Sequence, residues 1–284
     1  MPVVLHQGDL TDRASVMAAM PERPDAVFHV AASTNFWSRN NAQQDRVNID
    51  GTNHMIDAAI AAQAQRFIHT SSFTTWGFRH SEITEQSERT ADTDWINYVR
   101  SKYLAEEAVL QAHGMKRIDA IVLNPAHILG PGDHNNWSRM IRMAQQGKLL
   151  AAPSGAGNFS DVREVAKAHI EAFHKGRGGE KYLLGGEYAE FTELVKITGE
   201  VLDRRVPSMA APAWVMSAWG RLNAMIGGLT GTPPDITPES AAMVSYRMAC
   251  DSSKAQKELG YRFTPIRTLI QDTAQWMKNK GLLE

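Results

Sequence analysis

Cysteine is almost missing from the sequence: Cys250 is the only one in 284 residues, so no disulfide can form within the chain. An excess of one charge is missing too, because 30 Lys and Arg residues face 31 Asp and Glu residues. Without a field of one sign, we expect no nonspecific binding to nucleic acid or to a membrane. The first residues lack a charged leader followed by an apolar run, which predicts a cytoplasmic protein with small-molecule partners.

Long, clean hydrophobic runs are also rare. The most apolar stretch, residues 211–229, is interrupted by Arg221 and Asn223, and Gly227 and Gly228 close it. This favours a lid or core helix over a membrane span. The ten histidines show no metal-ligand spacing on one helix face, so we expect no metal.

Short apolar runs alternate with helical stretches in the first half of the chain, which is typical of parallel βαβ units. The predicted strands are residues 3–6, 26–31, 66–70 and 118–123. The predicted helices are residues 9–20, 51–64 and 98–111. The sequence therefore predicts an α/β fold with a doubly wound, Rossmann-like parallel sheet.

The pattern loosens after Pro125, where turns and loops become more frequent. We expect a dinucleotide-binding domain at residues 1–124, rejoined by residues 177–190. A smaller, mostly helical substrate domain is expected at residues 125–284, interleaved with the first. Residues 181–184 are predicted to form a strand that returns to the main sheet.

The glycine-rich turn that opens such a sheet is missing. No glycines have the Gly-x-Gly-x-x-Gly spacing that receives a pyrophosphate at a helix N-terminus. The first residues resemble the third strand of such a sheet, so we expect the domain to be truncated by roughly 50 residues, since a βαβ unit takes ~30. The residue that chooses between NAD and NADP has no counterpart either, so the expected cofactor is NAD or NADP.

Tyr98 and Lys102 lie four residues apart in a predicted helix, so their side chains share one face. A nearby ammonium stabilises a phenolate, and we expect Lys102 to lower the pKa of Tyr98 from its usual ~10 toward neutrality. The predicted strand 66–70 runs into Ser71 and Ser72 at its carboxyl end, the edge at which open α/β sheets bind ligands. Ser72 and Tyr98 can therefore clamp a carbonyl oxygen that becomes an alkoxide. The alternative is a solvated pair on an exposed helix and a serine that caps a turn.

Segments along almost the whole chain carry a family resemblance. They are residues 8–12, 27–32, 48–52, 70–72, 98–102, 124–133 and 251–261. In this order they resemble the extended branch of the short-chain dehydrogenase/reductase superfamily, the NAD-dependent epimerase/dehydratase and dihydroflavonol-reductase group. The resemblance implies that Tyr98 is the general acid/base, that Lys102 also holds the nicotinamide ribose, and that Ser72 orients the substrate oxygen. It also implies cofactor contacts by Asp9, Leu10, Ala31, Ala32 and Pro125.

Aromatic residues near the predicted site favour an apolar pocket. They are Phe36, Trp37, Phe73, Trp76, Phe78, Trp95 and Trp137. Asn124 stands where many sugar-nucleotide members of the group have arginine, which also favours an apolar substrate. We expect Ser72, Phe73, Trp76 and His127 to contact it; the alternative for His127 and for any one aromatic residue is ordinary packing.

The sequence thus predicts an NAD(P)-dependent oxidoreductase that interconverts a ketone and an alcohol on a fairly apolar small molecule. Two alternatives stay open: an epimerase or dehydratase that acts on a sugar nucleotide, and a non-catalytic family member, because the glycine-rich turn is missing. Residues 51–64 contain an alanine-rich face. In the resembled family this helix and the Tyr98 helix meet partners in a four-helix bundle, so a homodimer is expected.

Overall fold

The chain divides into two units, each made of separate stretches of sequence. The structure, a computed structural model, describes residues 3–283. The first unit contains the chain up to Gly77, then Ser87–Asn124 and His169–Tyr182. The second contains Phe78–Gln86, Pro125–Ala168 and the chain from Leu183 onward.

Strands and helices alternate through most of the described residues. The strands are β1 Ala26–His29, β2 Arg66–Thr70, β3 Glu82–Ile83, β4 Ala120–Pro125, β5 His127–Leu129, β6 Ala156–Asp161, β7 Lys181–Leu184, β8 Glu187–Glu190 and β9 Arg247–Cys250. The α-helices are α1 Arg13–Ala19, α2 Asn41–Asp45, α3 Gly51–Ala61, α4 Asn97–Gly114, α5 Trp137–Gln145, α6 Val162–Lys175, α7 Phe191–Leu202, α8 Ala213–Thr230, α9 Pro238–Met243, α10 Ser253–Leu259 and α11 Ile266–Asn279. A π-helical turn, Arg46–Asp50, joins α2 to α3.

The first unit is built around a sheet with the strand order β1-β2-β4-β7. β1 is parallel to β2, and β2 is parallel to β4. Val27, Phe67 and Val122 of these strands pack with Ile56 of α3 and Val109 of α4. β4 is buried at every position, as expected for a parallel strand with both faces covered. The α/β fold with a parallel sheet is confirmed, and β7 returns to the main sheet as predicted.

Residues 3–6 form no strand, so that prediction is wrong. The side chains of Val3 and Leu5 are exposed. Within residues 3–283, no strand pairs with this segment or with the outer edge of β1. A single extended segment leaves its N–H and C=O groups unpaired, so apolar residues alone do not make a strand.

Helix α4 carries most of the predicted site and is one residue longer at its start than expected. Its buried positions include Val99, Lys102, Ala105, Glu106 and Val109, which recur at the spacing of one helix face. Lys102 and Glu106 are the charged members of this face. The helix therefore directs two ionisable groups into the interior of the first unit.

The second unit has its own sheet, with the order β3-β9-β6-β5 and with β8 antiparallel to β6. Leu129, Phe159, Phe191, Leu194 and Leu269 form part of its core. This unit takes up more of the chain than the first and contains a sheet, which the expectation of a smaller, mostly helical domain did not include. The assignment of cofactor and substrate to separate domains stays a prediction.

Residues 211–229, which the sequence predicts to be a lid or core helix, correspond to helix α8. Among the helices of residues 3–283, none has the length and apolar character needed to cross a membrane.

Candidate active site

Hydroxyl side chains follow the carboxyl end of β2, where the chain turns away from the sheet. Ser72 precedes a 3-10 turn, Phe73–Trp76, and its Oγ accepts hydrogen bonds from the backbone N and the Oγ1 of Thr74 at 3.3 and 2.9 Å. The turn-capping alternative for Ser72 is therefore observed. The same side chain lies near enough to Tyr98 to lower the pKa of the phenol, so the cap holds Ser72 beside Tyr98.

Tyr98 lies in the first turn of α4, half-buried beside Phe36, whose ring meets it edge-on at 5.3 Å between centroids. Burial raises the pKa of Tyr98, and the hydrogen bond with Ser72 opposes that rise. The expectation that Lys102 lowers the pKa of Tyr98 is wrong for this structure. The phenol is neutral here and is held ready to donate its proton.

Lys102 lies one turn further along α4 and is only 3% exposed. Its Nζ donates a hydrogen bond to the carbonyl oxygen of Thr70 at 2.7 Å. Burial lowers the pKa of Lys102 to about 8, and the Glu106 carboxylate works in the opposite direction. Lys102 is therefore anchored at the end of β2, and its ammonium still carries further N–H groups for a ligand.

Ser72, Tyr98 and Lys102 all belong to the first unit, and the structure brings them to one place. Ser72, which lowers the pKa of Tyr98, and Thr70, which accepts the hydrogen bond of Lys102, both belong to the segment at the carboxyl end of β2. Two hydroxyl donors and one cation converge there. This arrangement can stabilise negative charge that develops on a substrate oxygen and can deliver a proton to it.

A fully buried carboxylate, Glu106, lies behind these residues. Its Oε2 accepts hydrogen bonds from Ser71 Oγ, from Thr75 Oγ1 at 3.1 Å and from Asn124 Nδ2 at 2.7 Å. Its Oε1 lies 3.0 Å from Nη2 of Arg89. Glu106 was not among the site residues predicted from the sequence.

The same network reaches the backbone of the predicted site. Asn124 Nδ2 donates to the carbonyl oxygen of Ser72 at 3.1 Å, and the single proton of Thr75 Oγ1 lies between Glu106 Oε2 and this same carbonyl oxygen, which is 3.0 Å away. Glu106 therefore fixes two side chains that in turn fix Ser72. We describe it as a positioning residue, because it acts through others.

Asn48 ties three segments together from within the π-helical turn. Its Oδ1 accepts from the backbone N of Ser33 at 2.7 Å, and its Nδ2 donates to Ser33 O at 3.0 Å and to Ser101 Oγ at 2.9 Å. Ser101 Oγ in turn donates to the carbonyl oxygen of Tyr98. Asn48 belongs to segment 48–52, which was recognised from the sequence. The π-helical turn that orients its side chain could not be predicted, because such turns have no local sequence signal.

Two buried histidines lie beside Lys102. His29 of β1 and His69 of β2 are register partners, with ring centroids 5.3 Å apart. His29 Nε2 hydrogen bonds with Thr52 Oγ1 at 2.9 Å. Burial, with the charge of Lys102 as a second cause, lowers the pKa of His29 to about 4 and that of His69 well below its usual range. Both rings are therefore neutral at pH 7, and neither was among the site residues predicted from the sequence.

The predicted cofactor residues lie at the carboxyl ends of strands and on the segment before α1. Ala31 and Ala32 follow β1, and Pro125 is the last residue of β4. Asp9 uses its carboxylate to accept from the backbone N and Oγ1 of Thr11, which lowers its pKa. The carbonyl oxygen of Leu10 accepts from His54 Nδ1 at 2.8 Å.

These residues fit the part of a nicotinamide dinucleotide that lies nearest the reacting atoms, namely the nicotinamide and its ribose. Small side chains after β1 let a ligand approach the backbone, and the ammonium of Lys102 has N–H groups suited to ribose hydroxyls. The pyrophosphate turn has no counterpart in the sequence. The individual cofactor contacts stay predictions.

The predicted substrate contacts are divided between the units. Phe73 and Trp76 are buried in the first unit, and Arg89 and Lys181 lie over the Trp76 ring at 5.7 and 5.1 Å. His127 lies in the second unit among aromatic rings, and burial lowers its pKa to about 4. Its ring neighbours are Trp137, Phe159 and Phe191. Packing thus accounts for their positions, and substrate contact by these three residues stays a prediction.

The site residues described above do not form a cluster of metal ligands. Within residues 3–283, no group of three or more His, Cys, Asp or Glu side chains could hold one. Ser72 follows the carboxyl end of a parallel strand, and Tyr98 and Lys102 of α4 reach the same end; this is the edge at which open α/β sheets bind dinucleotides and other ligands. A family model then gives the specific assignment: this chain belongs to the NAD dependent epimerase/dehydratase family, whose model matches residues 2–185.

Curated relatives extend over nearly the whole chain. Sterol demethylase protein B of Methylococcus capsulatus is 26% identical, with 97% of this chain and 85% of the relative covered. A Synechocystis protein with dihydroflavonol 4-reductase in its name is 25% identical, with 100% and 84% covered. A 3 beta-hydroxysteroid dehydrogenase/Delta 5-->4-isomerase of Mycobacterium tuberculosis is 27% identical, with 93% and 76% covered.

A solved structure agrees with the fold. The crystal structure of gox2253 matches with a TM-score of 0.81 and 28% identity, covering 99% of this chain and 86% of that one. The resemblance to the extended short-chain dehydrogenase/reductase group is confirmed. The predicted cofactor class, NAD or NADP, is confirmed as that of the family.

Proposed function

We propose that this protein is an NAD(P)-dependent oxidoreductase that interconverts a secondary alcohol and a ketone on an apolar, polycyclic molecule. The observation that carries the proposal is that Ser72 lies near enough to Tyr98 to lower the pKa of its phenol, while the buried Lys102 is anchored at the same end of β2. The cytoplasm is the proposed location, in keeping with the free, buried thiol of Cys250.

The residues of the chain have separate tasks in this proposal. A bound nicotinamide dinucleotide supplies hydride exchange with the substrate carbon. Tyr98 donates its proton to the substrate oxygen in the direction of reduction and takes it back in oxidation. Ser72 hydrogen bonds to the same oxygen, and Lys102 places a positive charge nearby and binds the ribose hydroxyls.

The neutral state of Tyr98 suits the reductive direction. Because burial raises the pKa of this phenol, it keeps its proton at pH 7 until negative charge develops on the substrate oxygen. Lys102, with a pKa of about 8, is charged at that pH. The cation can then stabilise negative charge that develops on the substrate oxygen before the proton arrives.

The relatives and the aromatic residues support the substrate class. One relative is named for a sterol and another for a hydroxysteroid. Phe36 lies against Tyr98, so at least one aromatic ring borders the reacting group. Asn124 donates its amide to Glu106 and to the backbone of Ser72, an internal role that provides no cation for a diphosphate.

The test has a binding step and a turnover step. Titration with NADH and with NADPH, followed by nicotinamide fluorescence, should give a saturable signal for at least one of them. A steroid ketone should then consume the reduced cofactor. No saturable signal for either cofactor would end the proposal. Interconversion of a sugar nucleotide without net cofactor consumption would favour the epimerase alternative.

A further inference from the structure

A short stretch of chain after β1 carries an aromatic side chain to the proposed site. We call residues 33–37 the Phe36 segment. The ring of Phe36 is half-buried and meets the Tyr98 ring edge-on, with 5.3 Å between the centroids. A ligand that occupies the space beside the phenol therefore contacts Phe36. The Phe36 segment belongs to no helix or strand, so side chains from other elements must fix its backbone.

A buried glutamine fixes the backbone of this segment. Gln44 of α2 is only 1% exposed, and its Nε2 donates to the carbonyl oxygens of Ser33 and Asn35 at 3.1 and 2.7 Å. The side-chain oxygen of Asn35 in turn accepts from the backbone N of Trp37 at 2.7 Å. Hydrogen bonds therefore hold the residue on each side of Phe36.

The oxygen of the same amide contacts the helix that carries Tyr98. Gln44 Oε1 accepts a hydrogen bond from Nδ2 of Asn97 at 3.1 Å, and this Nδ2 also donates to Asp45 Oδ1 at 2.8 Å. Asn97 is the first residue of α4 and immediately precedes Tyr98. The amide of Gln44 thus uses both its N–H groups and its oxygen. It links the Phe36 segment directly to the start of the Tyr98 helix.

The preceding glutamine has a different environment. Gln43 is exposed, and its Oε1 accepts from the guanidinium of Arg46, three residues further along the chain. An amide in the interior costs free energy unless its polar atoms are hydrogen-bonded, whereas an exposed one is solvated by water. Gln44 therefore has a structural connection that Gln43 lacks, and the two residues form a matched pair for a test.

We propose that Phe36 is a specificity-determining residue of the site and that Gln44 is the positioning residue that holds it. The inference rests on the proposed function, because it names the side chain through which that site selects a polycyclic ketone. Fused rings pack along the fixed Phe36 ring while the carbonyl group reaches Tyr98. Because the Phe36 segment is held before a ligand arrives, little conformational entropy is lost on binding.

Equilibrium dialysis of tritiated progesterone measures this selection without turnover. The unaltered chain is tested alone and with oxidised NAD or NADP, which cannot reduce the ketone, and it should bind progesterone. Phe36→Ala should raise the Kd about tenfold, because it removes an aromatic contact and the apolar area that the contact buries. Phe36→Leu should raise it about threefold, since it keeps apolar area but loses the ring.

Butanone is the small ketone for comparison, measured as a competitor of progesterone. It has no fused rings to pack along Phe36, so its Ki should change less than about twofold in the Phe36 variants. The proposal is overturned if the unaltered chain binds no progesterone, or if both Phe36 variants bind it as tightly as the unaltered chain does. Equal loss of affinity for progesterone and butanone would also overturn it.

The two glutamines test the positioning role. Gln44→Met keeps the length of the side chain without its hydrogen bonds and should raise the Kd for progesterone about fivefold, because the Phe36 segment must then be ordered on binding. Gln43→Met should leave the Kd unchanged. Circular dichroism checks that each variant is folded. Equal Kd values for the two glutamine variants would contradict the role of Gln44.

Failure of the proposed function gives a different result. If progesterone binding depends on Phe36 but the unaltered chain consumes neither NADH nor NADPH with this ketone, the redox chemistry is rejected and the specificity role of Phe36 stands. If the unaltered chain reduces progesterone and the Phe36 variants bind it equally well, the specificity role is rejected and the redox chemistry stands.

Discussion

A buried carboxylate lies one helical turn beyond the lysine of the proposed site. Glu106 is fully buried, and a charge there is tolerated only because three hydrogen-bond donors and Arg89 surround it. Arg89 also pairs with Glu107, whose side chain is 46% exposed. The same guanidinium thus contacts a buried and a half-exposed carboxylate on neighbouring residues.

This pair gives a controlled test of the positioning role. Glu106→Gln should lower the free energy of unfolding by about 3 kcal/mol, because it leaves buried donors and Arg89 without their charged partner. Glu107→Gln should lower it by less than about 1 kcal/mol. Urea unfolding measures both values. Equal losses in the two variants would contradict the account of the network.

The pH dependence of kcat/KM distinguishes a positioning role of Glu106 from a role in stability alone. Glu106 raises the pKa of Lys102 against the effect of burial. Removing its charge should therefore move the alkaline limb of kcat/KM to lower pH in Glu106→Gln, measured below the unfolding temperature of the variant. An unchanged alkaline limb would mean that Glu106 is structural only.

At this scale the sequence pointed to Ser72, Tyr98 and Lys102, which the structure brings to one place, but it did not predict their electrostatics. Spacing along a helix shows which side chains share a face, but it does not show how deeply they are buried. Burial reverses the expected direction of the Tyr98 pKa. Glu106 lies four residues after Lys102 on the same helix, so the spacing that pointed to Lys102 could also have pointed to it.

At the scale of elements, the pairing of β1 with β2 places His29 against His69 in the interior. Burial lowers the pKa of His29 in the folded protein from its ordinary value of 6.5 to about 4. Between these two pH values the His29 ring is therefore neutral in the folded protein. The unfolded chain binds a proton in the same range below about pH 6.5. The free energy of unfolding therefore falls as the pH falls through this window.

We expect the loss from His29 alone to approach ~3 kcal/mol between pH 7 and pH 4. His29→Asn should reduce the difference in unfolding free energy between these two pH values. His6→Asn, at an exposed histidine, serves as the control and should leave the difference unchanged. The account of the buried pair fails if the two variants respond to pH in the same way.

Elements with strong local patterns were predicted well, and those that depend on distant pairing were not. β2 lies at the predicted residues 66–70, because its apolar run is short and bounded. β3 is two residues long and pairs with β9, far along the chain. No local pattern indicates such a pair, so the second sheet was missed. Residues 3–6 show the opposite case. Their apolar composition suits a strand, but no neighbouring strand is present to pair with them, so no strand forms.

At the scale of the whole molecule, the homodimer stays a prediction. The alanine-rich face expected to meet a partner is in part used internally, because Ala58 and Ala59 are buried within the chain. Leu104 on α4 remains exposed. If α4 forms the dimer contact, light scattering should give a dimer mass for the unaltered chain and a monomer mass for Leu104→Glu. A monomer mass for the unaltered chain would exclude the predicted dimer.

The account as a whole depends on Tyr98 as the proton donor of a redox reaction. The most direct measurement is the rate of NAD(P)H consumption with a steroid ketone, compared between the unaltered chain and Tyr98→Phe. We predict a fall in kcat of at least about 100-fold with cofactor binding retained, since general acid catalysis contributes on that order. If Tyr98→Phe turns over at the rate of the unaltered chain, the proposed chemistry does not occur at this site.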